Sequence, residues 1–347
     1  MILLADLHLS ATSAPTVAKV FETIPSICSH HRDHHVAILG DLLHHRHHVE
    51  LALLLQVRQH LVDLVVGGVE KITIIPGNHD MLDRSGLTVL ELFTDLPHVT
   101  VHLEPVWTDE GLWVPYRSDP EAISSALRLP RPSGAHPVLL GHLGIRGAQM
   151  NQNAVDTDGI DGSDGSDGSD GTSNGIQLVV TGHYHLQQEL HGGRVIYIGS
   201  PYQVDFGEAG DTSKGYVHLE ETTATFHSWP EPIGPRHHRV HLDLGEEVTP
   251  DLTSVRDGDR VWVTVSGTAL PGEAREAAAQ LLADTGIEGA RIDLDLEPAS
   301  GQARLTHVPG ESLLDLAGRF LAQQEGLTDN QRADLGETLT LVVGGAA

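Results

Sequence analysis

The first part of the chain alternates between short, largely apolar runs and longer segments in which apolar residues recur with helical spacing. The apolar runs lie at residues 2–5, 36–39 and 71–75, and the helical segments lie at residues 15–30 and 49–66. Such runs are typical of strands buried on both faces, whereas the segments between them are long enough for helices. This order of elements predicts an α/β fold with a parallel sheet covered by helices.

Shorter apolar runs follow and predict a region that is richer in strands. These runs lie at residues 99–103, 111–115, 137–140, 177–181, 194–198 and 215–219. They stop before a proline-rich joint at residues 229–235, which predicts a domain boundary. The first domain is therefore predicted to span residues 1–228.

The remainder of the chain predicts a second, smaller domain and a tail. An alternating strand, an alanine-rich helix and another alternating strand predict a small α/β domain over residues 236–308. Residues 309–347 are predicted to form a C-terminal helical segment, because apolar residues form one stripe over residues 311–325. That stripe either packs onto its own domain, which is the favoured interpretation, or docks a partner.

Residues with metal-binding side chains follow the predicted strands at the points where the strands end. In chain order they are Asp6 and His8, then Asp41, then Asn78 with His79 and Asp80, then His142, and then His183 with His185. Ligands gather at the carboxyl ends of the strands in parallel sheets. We therefore expect these side chains to form one site.

The mixture of carboxylate, amide and imidazole groups indicates divalent cations. Such ligands suit Mn²⁺ best, with Mg²⁺, Zn²⁺ or Fe²⁺ as alternatives. Thiolate ligation is excluded, because the one cysteine, Cys28, lies elsewhere and is expected to be a small buried apolar residue. Two ions about 3.5–4 Å apart form the usual clamp for in-line attack on a phosphoester. His79 is predicted to protonate the leaving oxygen, with Asp80 orienting its ring and holding it protonated.

The composition narrows the class of protein further. The chain has 21 Lys and Arg residues against 48 Asp and Glu residues, a formal net charge of −27. That balance argues against a general nucleic-acid-binding or membrane-surface protein, but not against a metal enzyme, because bound cations reverse the local charge. No apolar run approaches the about 20 residues of a membrane span, and the amino terminus resembles neither a signal peptide nor an anchor. Together with the single cysteine, this predicts a soluble, cytoplasmic protein without membrane contact.

Two segments of unusual composition are interpreted as surface features. Residues 156–175 contain a Ser-Asp-Gly repeat and are predicted to be a flexible acidic insertion, because a period of three matches neither the EF-hand loop nor nine-residue calcium repeats. Histidines crowd residues 30–48. A metal-buffering patch is one interpretation, but solvated side chains beside the cleft are favoured, because no second set of acidic ligands accompanies them.

The strand-end motifs resemble, in their order and spacing, those of calcineurin-like metallophosphoesterases. The matching motifs are Asp6-Leu7-His8, Gly40-Asp41, Gly77-Asn78-His79-Asp80, Gly141-His142 and Gly182-His183-Tyr184-His185. The resemblance implies a four-layer α-β-β-α sandwich that hydrolyses phosphoesters with two divalent ions. The ligand sets that it implies are Asp6, His8, Asp41 and His185 for one ion, and Asp41 (as a bridge), Asn78, His142 and His183 for the other.

A finer resemblance is to the SbcD-type nucleases of the meiotic-recombination-eleven family, which include phage recombination endonucleases. It is carried by residues 197–208, by Lys214-Gly215, and by His44, which follows Asp41 by three residues. This resemblance implies a manganese-dependent DNA exonuclease and endonuclease, with Mg²⁺ as an alternative ion, in which His44 positions the DNA phosphate or the nucleophile. It also implies an SbcC-like ATPase partner, a homodimer, and a role in DNA recombination and double-strand-break repair.

Two other functions stay open. One is a stand-alone phosphoesterase for a small phosphodiester or phosphomonoester, which the acidic charge favours and the length of chain after the core disfavours. The other is a catalytically silent scaffold, which the presence of every expected ligand disfavours. Cleavage of duplex DNA, compared with cleavage of a small chromogenic phosphodiester, distinguishes the nuclease from the small-substrate enzyme.

Overall fold

The fold was obtained as a computed structural model, which describes residues 1–83, 86–151, 154–161, 175–246, 249–283, 290–297 and 312–323, together with 335, 336 and 338. The chain divides into two compact units. The first comprises Met1–Arg239 and Val255–Val261, and the second comprises Val240–Ser254 and Trp262–Ala347. This division places the proline-rich joint in the first unit, and the domain boundaries taken from the sequence stay a prediction.

The strands are short and the helices few. The strands are β1 (Ile2–Leu4), β2 (His35–Leu39), β3 (Lys71–Ile75), β4 (Val99–Val101), β5 (Val106–Thr108), β6 (Gly111–Val114), β7 (Val138–His142), β8 (Gln149–Asn151), β9 (Ala154–Val155), β10 (Leu178–Gly182), β11 (Gln188–Leu190), β12 (Val195–Tyr197), β13 (Gly215–Glu220), β14 (Thr223–Ser228), β15 (His237–Asp243), β16 (Arg260–Thr268) and β17 (Arg291–Glu297). The α-helices are α1 (Ala14–His31), α2 (Leu51–Val66), α3 (Pro120–Leu127), α4 (Pro271–Ala283) and α5 (Leu313–Gln323), and short 3-10 helices lie at Val89–Phe93, His191–Gly193 and Phe206–Glu208. None of the helices in the described part of the chain is long and apolar enough to cross a membrane.

The first sheet has six strands in the order β14-β13-β1-β2-β3-β4. Strands β1 to β4 run parallel, and β13 and β14 join the β1 edge in antiparallel orientation. Helices α1 and α2 cover one face of this sheet, where Phe21 and Leu61 share a core with Ile38 and Ile72. Cys28 is buried in the same core, as predicted.

The second sheet also has six strands, in the order β11-β12-β10-β7-β6-β5. Its strands β6, β7, β10 and β12 run parallel. The two sheets pack against each other through residues such as Leu3 and Ile75 from the first sheet and Trp113 and Leu140 from the second. On the outer face of the second sheet, Ile123 of α3 belongs to a third core. The layers are therefore helix, sheet, sheet and helix, and the predicted α-β-β-α sandwich is confirmed.

The second unit is also of the α/β type. Strands β15, β16 and β17 form a three-stranded sheet in that order, in which β16 and β17 are parallel. Helix α4 packs beside β17 and buries Ala274, Ala278 and Leu282. Helix α5 lies in the predicted C-terminal segment, with Leu314 and Phe320 exposed.

Candidate metal centre

The candidate centre lies where strands of both sheets end. The loops after β1, β2, β3 and β10, together with the last residue of β7, carry the seven predicted ligands, which are Asp6, His8, Asp41, Asn78, His142, His183 and His185. Hydrogen bonds join the loops: the backbone N–H of Asp6 donates to the carbonyl of Gly40 at 3.0 Å, and that of His8 donates to the carbonyl of Asp41 at 2.9 Å. The structure thus brings the seven residues together.

Four of the predicted ligands have a left-handed backbone, which is uncommon outside glycine. The angle φ is 55° at Asp6, 45° at His8, 52° at Asp41 and 103° at His183. For a residue with a side chain, this conformation costs roughly 1–2 kcal/mol, so the surrounding structure has to hold it. Such strain concentrates at functional sites, and here it falls on the metal-ligand candidates.

Glycines in the motifs allow the loops to approach each other closely. A Cβ atom at Gly40 would lie 2.2 Å from Nδ1 of His142, and one at Gly77 would lie 2.2 Å from Oδ1 of Asp41. Real Cβ atoms essentially never come within 3.0 Å of another heavy atom. Only glycine therefore fits at these two positions without moving a predicted ligand.

The first group of donor atoms comes from Asp6, His8 and His185. Their ligand atoms lie within 4.8 Å of one another. The Nε2 atoms of His8 and His185 face each other at 2.9 Å, and the Asp6 carboxylate accepts a hydrogen bond from the backbone N–H of His183 at 3.1 Å. This group corresponds to the first of the two predicted ion sites.

The second group surrounds Asn78. Its Oδ1 lies 3.1 Å from Nε2 of His142 and 2.8 Å from Nδ1 of His183. Asp41 lies between the two groups, because its Oδ2 is 3.4 Å from Nε2 of His142 and 3.6 Å from Nε2 of His8. That is the position that a carboxylate bridging two cations requires.

The donor set fits divalent cations. Asp6 and Asp41 are 0% and 1% exposed, and buried carboxylates are costly unless positive charge compensates them. The Nε2 atoms of His8 and His185 face each other at 2.9 Å, so both can bind the same cation once the rings are neutral. Carboxylate, amide and imidazole groups together suit Mn²⁺, Zn²⁺ and similar ions.

The protonation states of the metal-free centre differ among the ligands. Although burial opposes it, neighbouring carboxylates raise the pKa values of His142 and His185 to about 9, so both rings release a proton when a metal ion binds. Burial raises the pKa of Asp6 to about 6. Burial acts in the same direction on Asp41, but the charge and hydrogen bond of His142 outweigh it and lower the pKa of that carboxyl. Burial and the charge of His142 lower the pKa of His183 to about 3. At neutral pH, Asp41 is therefore ionised and His183 neutral, which are the forms that bind metal ions.

Two of the histidines are oriented by hydrogen bonds on the side away from the other ligands. Nδ1–H of His142 donates to the carbonyl of Leu39 at 2.8 Å, and Nδ1–H of His185 donates to Glu208 at 2.8 Å. Although burial opposes it, Glu208 raises the pKa of His185 to about 9. Such second hydrogen bonds fix the ring and leave Nε2 as the donor atom.

Glu208 is held in turn by Ser200 and Lys214. Its carboxylate accepts from Ser200 Oγ at 2.7 Å and forms a buried ion pair with Lys214. Sequence reasoning included Glu208 and Lys214 in a family-like segment but assigned neither of them a role. The contact of Glu208 with His185 spans 23 residues of chain, and no local pattern could have revealed it.

His79 and His44 lie beside the donor groups. The backbone N–H of His79 donates to Asp41 at 2.7 Å, and its ring Nδ1–H donates to the carbonyl of His44 at 2.6 Å. The Nδ1 atom of His44 lies 3.3 Å from Nδ1 of His8. The His79 ring thus keeps Nε2 for a further partner, as a proton donor to a substrate needs.

Asp80 has a different role from the one predicted. Its carboxylate accepts hydrogen bonds from the backbone N–H groups of Gly77, Leu42 and Leu43, at 2.9, 3.2 and 2.9 Å. The His79 ring is held instead by the His44 carbonyl. The expectation that Asp80 orients the His79 ring is corrected accordingly, because buried amides need a partner and the carboxylate supplies it. Asp80 holds together the loops that carry Asp41 and Asn78.

The predicted acidic insertion begins within ordered structure. Asp156 is buried and accepts hydrogen bonds from the Tyr184 hydroxyl at 2.6 Å and from the backbone N–H groups of Asp158 and Gly159. Ile160 pairs with Ile145. Residues 156–161 are therefore anchored rather than flexible, because each of these backbone groups has a partner, while residues 162–174 lie outside the described part of the chain.

The fold and the centre define a class: an α/β sandwich that carries a candidate two-metal site at its strand ends, as metal-dependent phosphoesterases do. A family model for calcineurin-like phosphoesterase matches residues 1–187, more than half of the chain. The chain belongs to the calcineurin-like phosphoesterase family, and metal-dependent hydrolysis of phosphoesters is its chemistry. No curated protein matches the chain at a significant level.

Proposed function

We propose that this chain is a two-metal phosphodiesterase that cuts DNA, both as an exonuclease and as an endonuclease, with Mn²⁺ as the preferred ion. The observation that carries the proposal is the openness of the metal centre. Among the described residues, three clefts of the first unit each reach a different part of its ligand set. A small ester is usually enclosed by its pocket, whereas a polymer needs room on both sides of the bond that is cut.

Each cleft combines metal-ligand candidates with arginine. Their linings include His183, His185 and Arg239 in one cleft, Asn78, Arg46 and Arg117 in another, and His8, His44 and Arg260 in the third. Arginines pair readily with phosphate, and a nucleic-acid strand presents one phosphate per nucleotide. Carboxylates such as Asp205, Glu208 and Glu104 line the same clefts, and the net charge of the chain is −27, so the support for DNA as the substrate comes from these individual arginines and not from a net positive surface.

The side chains in and around the metal centre have separate roles in the proposed reaction. When bound, two cations polarise the phosphate and lower the pKa of the attacking water. His79, held through Nδ1 by the His44 carbonyl, has Nε2 to protonate the leaving oxygen. The half-exposed His44, close to His8, orients a phosphate in the cleft. Lys214 and Glu208 keep His185 in position.

The proposed setting is recombination and double-strand-break repair in the cytoplasm, as a homodimer with an SbcC-like ATPase. The net charge of −27 supports such a partner. Phosphate contacts supply much of the affinity of proteins for duplex DNA, and an acidic chain has few cations to spare for them. A partner that binds the duplex would supply that affinity.

The test is degradation of a linear duplex with Mn²⁺, Mg²⁺ or EDTA, with and without an SbcC-like ATPase. We expect manganese-dependent degradation that His79→Gln abolishes while two Mn²⁺ ions remain bound. The matched control is His34→Gln, at an exposed histidine outside the centre, which should cut DNA normally. Equal loss of DNA cleavage in both variants, or loss of metal in His79→Gln, would contradict the role of His79.

A second candidate function is hydrolysis of a small phosphodiester or phosphomonoester without a partner. The acidic balance of the chain favours it. Turnover of a chromogenic phosphodiester with duplex DNA left intact, even in the presence of the ATPase, would establish this function in place of the nuclease.

A further inference from the structure

A second cluster of histidines lies outside the metal centre. His31 ends α1, His218 lies in β13 and His227 in β14, and their ligand atoms lie within 4.8 Å of one another. The ring centroid of His31 is 4.1 Å from that of His218 and 4.8 Å from that of His227. Two of the three come from far along the chain, which explains why the histidine-rich segment alone did not predict the cluster.

The pairing of the strands accounts for this arrangement. Tyr216 pairs with His227, and His218 pairs with Thr225, so His218 and His227 are diagonal neighbours on one face of the hairpin. His218 also pairs with Ile2, at the start of β1, whereas the metal centre lies beyond the end of that strand. The cluster and the centre therefore occupy different ends of the sheet and share no residue.

We propose that His31, His218 and His227 bind a zinc ion. Each residue offers an imidazole nitrogen, and three imidazoles form a characteristic ligand set for Zn²⁺. In a tetrahedral site with Zn–N bonds of about 2.0–2.1 Å, the nitrogens lie about 3.3 Å apart. Small side-chain rotations would reduce the present separations, which are at most 4.8 Å, to that value.

Neighbouring groups hold the rings as they hold zinc ligands elsewhere. Asp33 lies 3.3 Å from Nε2 of His218, and the Tyr216 hydroxyl lies 2.9 Å from Nε2 of His31. One nitrogen of His218 and one of His31 are thus engaged and the other is left for an ion, the arrangement in which a second hydrogen bond orients a metal-binding histidine. Asp33 is a positioning residue here, and it is shared with the amino group of Met1.

The dipole of α1 also favours a cation. The cluster lies at the C-terminal end of α1, where the helix dipole is negative. Burial and the neighbouring histidines lower the pKa values of His31 and His227, so both rings are neutral at pH 7, as metal binding requires. An ion here would tie the end of α1 to the β13–β14 hairpin, far from the reacting phosphate, and so stabilise the fold without entering the reaction.

The first measurement is the number of zinc ions per chain after dialysis of the metal-free protein against Zn²⁺. We expect His227→Gln and His31→Gln each to bind one ion fewer than the unaltered chain, and Asp33→Asn to bind it about tenfold more weakly. The control His241→Gln, at an exposed histidine of the second unit, should retain every ion. An unchanged count in both His227→Gln and His31→Gln would overturn the proposal.

A second measurement excludes the metal centre from the readout. In an Asp6→Asn/Asp41→Asn background, Zn²⁺ should still raise the unfolding temperature, and adding His227→Gln or His31→Gln should remove that rise. In the otherwise unaltered chain, His227→Gln and His31→Gln should each leave manganese-dependent turnover of a chromogenic phosphodiester unchanged. If Zn²⁺ raises the unfolding temperature equally with and without the histidine substitutions, the zinc site does not exist.

Discussion

The position of Asp41 between His8 and His142 depends on residues that carry no functional group. Gly40 has φ of 86°, and any Cβ there would meet the His142 ring, whose Nδ1–H donates to the carbonyl of Leu39 next to Gly40. A Cβ at Gly77 would likewise collide with the side chain of Asp41. The geometry of the metal centre thus depends on the space left by these two glycines as much as on the ligands.

We expect Gly40→Ala to abolish the centre and Gly68→Ala to leave it intact. Gly68 has φ of 98°, but a Cβ there meets nothing within 4 Å, so it controls for the strain of the backbone alone. Gly68→Ala should lower the free energy of unfolding by about 1–2 kcal/mol with normal phosphodiester turnover. Gly40→Ala should lower it more and reduce turnover by about 100-fold or more. Similar turnover in both variants would contradict the steric argument.

Glu208 is predicted to stabilise the metal-free chain in a pH-dependent way. Burial opposes its ionisation, but His185 and Lys214 lower its pKa from 4.5 to about 2. Because the folded-state pKa is the lower one, the stabilisation is fully present above pH 4.5 and is lost as the pH falls towards 2. The loss in Glu208→Gln should therefore be largest at pH 7, at most about 3 kcal/mol, and should shrink below pH 4.5.

Urea unfolding at pH 7, 4 and 3 measures this difference. The exposed Glu231 supplies the control, since Glu231→Gln should differ from the unaltered chain by the same small amount at each pH. A difference for Glu208→Gln that stays constant from pH 7 to pH 3 would show that its carboxylate does not act through its charge.

At the scale of elements, tertiary packing overrides two local signals. Pro25 removes one backbone donor from the first helix, but α1 continues past it, because Ile24 and Cys28 on either side are buried in the core. The start of the acidic segment, expected to be flexible, is anchored through Asp156 and the pairing of Ile160 with Ile145. In both cases contacts distant in sequence decide the local conformation.

Asp156→Ala should destabilise the first unit. The buried carboxylate accepts from Tyr184 and from two backbone N–H groups, and leaving such donors unpaired costs roughly 1–3 kcal/mol. The exposed neighbour Asp158 is the matched control, since Asp158→Ala keeps the backbone N–H that donates to Asp156. The measurement is the free energy of unfolding in urea, and equal values for the two variants would mean that the anchor contributes nothing.

The features that could be predicted from the sequence are those encoded in local patterns of residues. The runs at residues 2–5, 36–39 and 71–75 became β1, β2 and β3 to within one residue, because every residue in them except Lys71 is buried. Their parallel pairing then placed the predicted ligands at one edge, as expected. What stayed hidden are contacts between distant positions: β13 beside β1, Glu208 with His185, and His31 with His218 and His227. No periodicity in the chain connects those residues.

At the scale of the whole molecule, the centre depends on both sheets. Loops after β1, β2 and β3 of the first sheet supply Asp6, Asp41 and Asn78. The end of β7 and the loop after β10 in the second sheet supply His142 and His183. A cation bound between them links the two layers of the sandwich. Metal binding and the stability of the first unit are therefore coupled.

Chelation with EDTA should lower the unfolding temperature, and Mn²⁺ should restore it. At 100 times the dissociation constant, an ion adds about 2.7 kcal/mol to the free energy of unfolding. Asp6→Asn/Asp41→Asn should lose this response, while a charge-matched control at exposed residues, Asp95→Asn/Asp109→Asn, should keep it. An equal response in both double variants would place the stabilising ion elsewhere.

The most direct test of the account is a crystal structure of the manganese-loaded chain with anomalous scattering recorded at the manganese edge. The account predicts two peaks at the strand ends, one beside Asp6, His8 and His185 and one beside Asn78, His142 and His183, with Asp41 between them. A single peak at the strand ends, or peaks that avoid Asp41, would contradict a two-metal phosphoesterase centre in this chain.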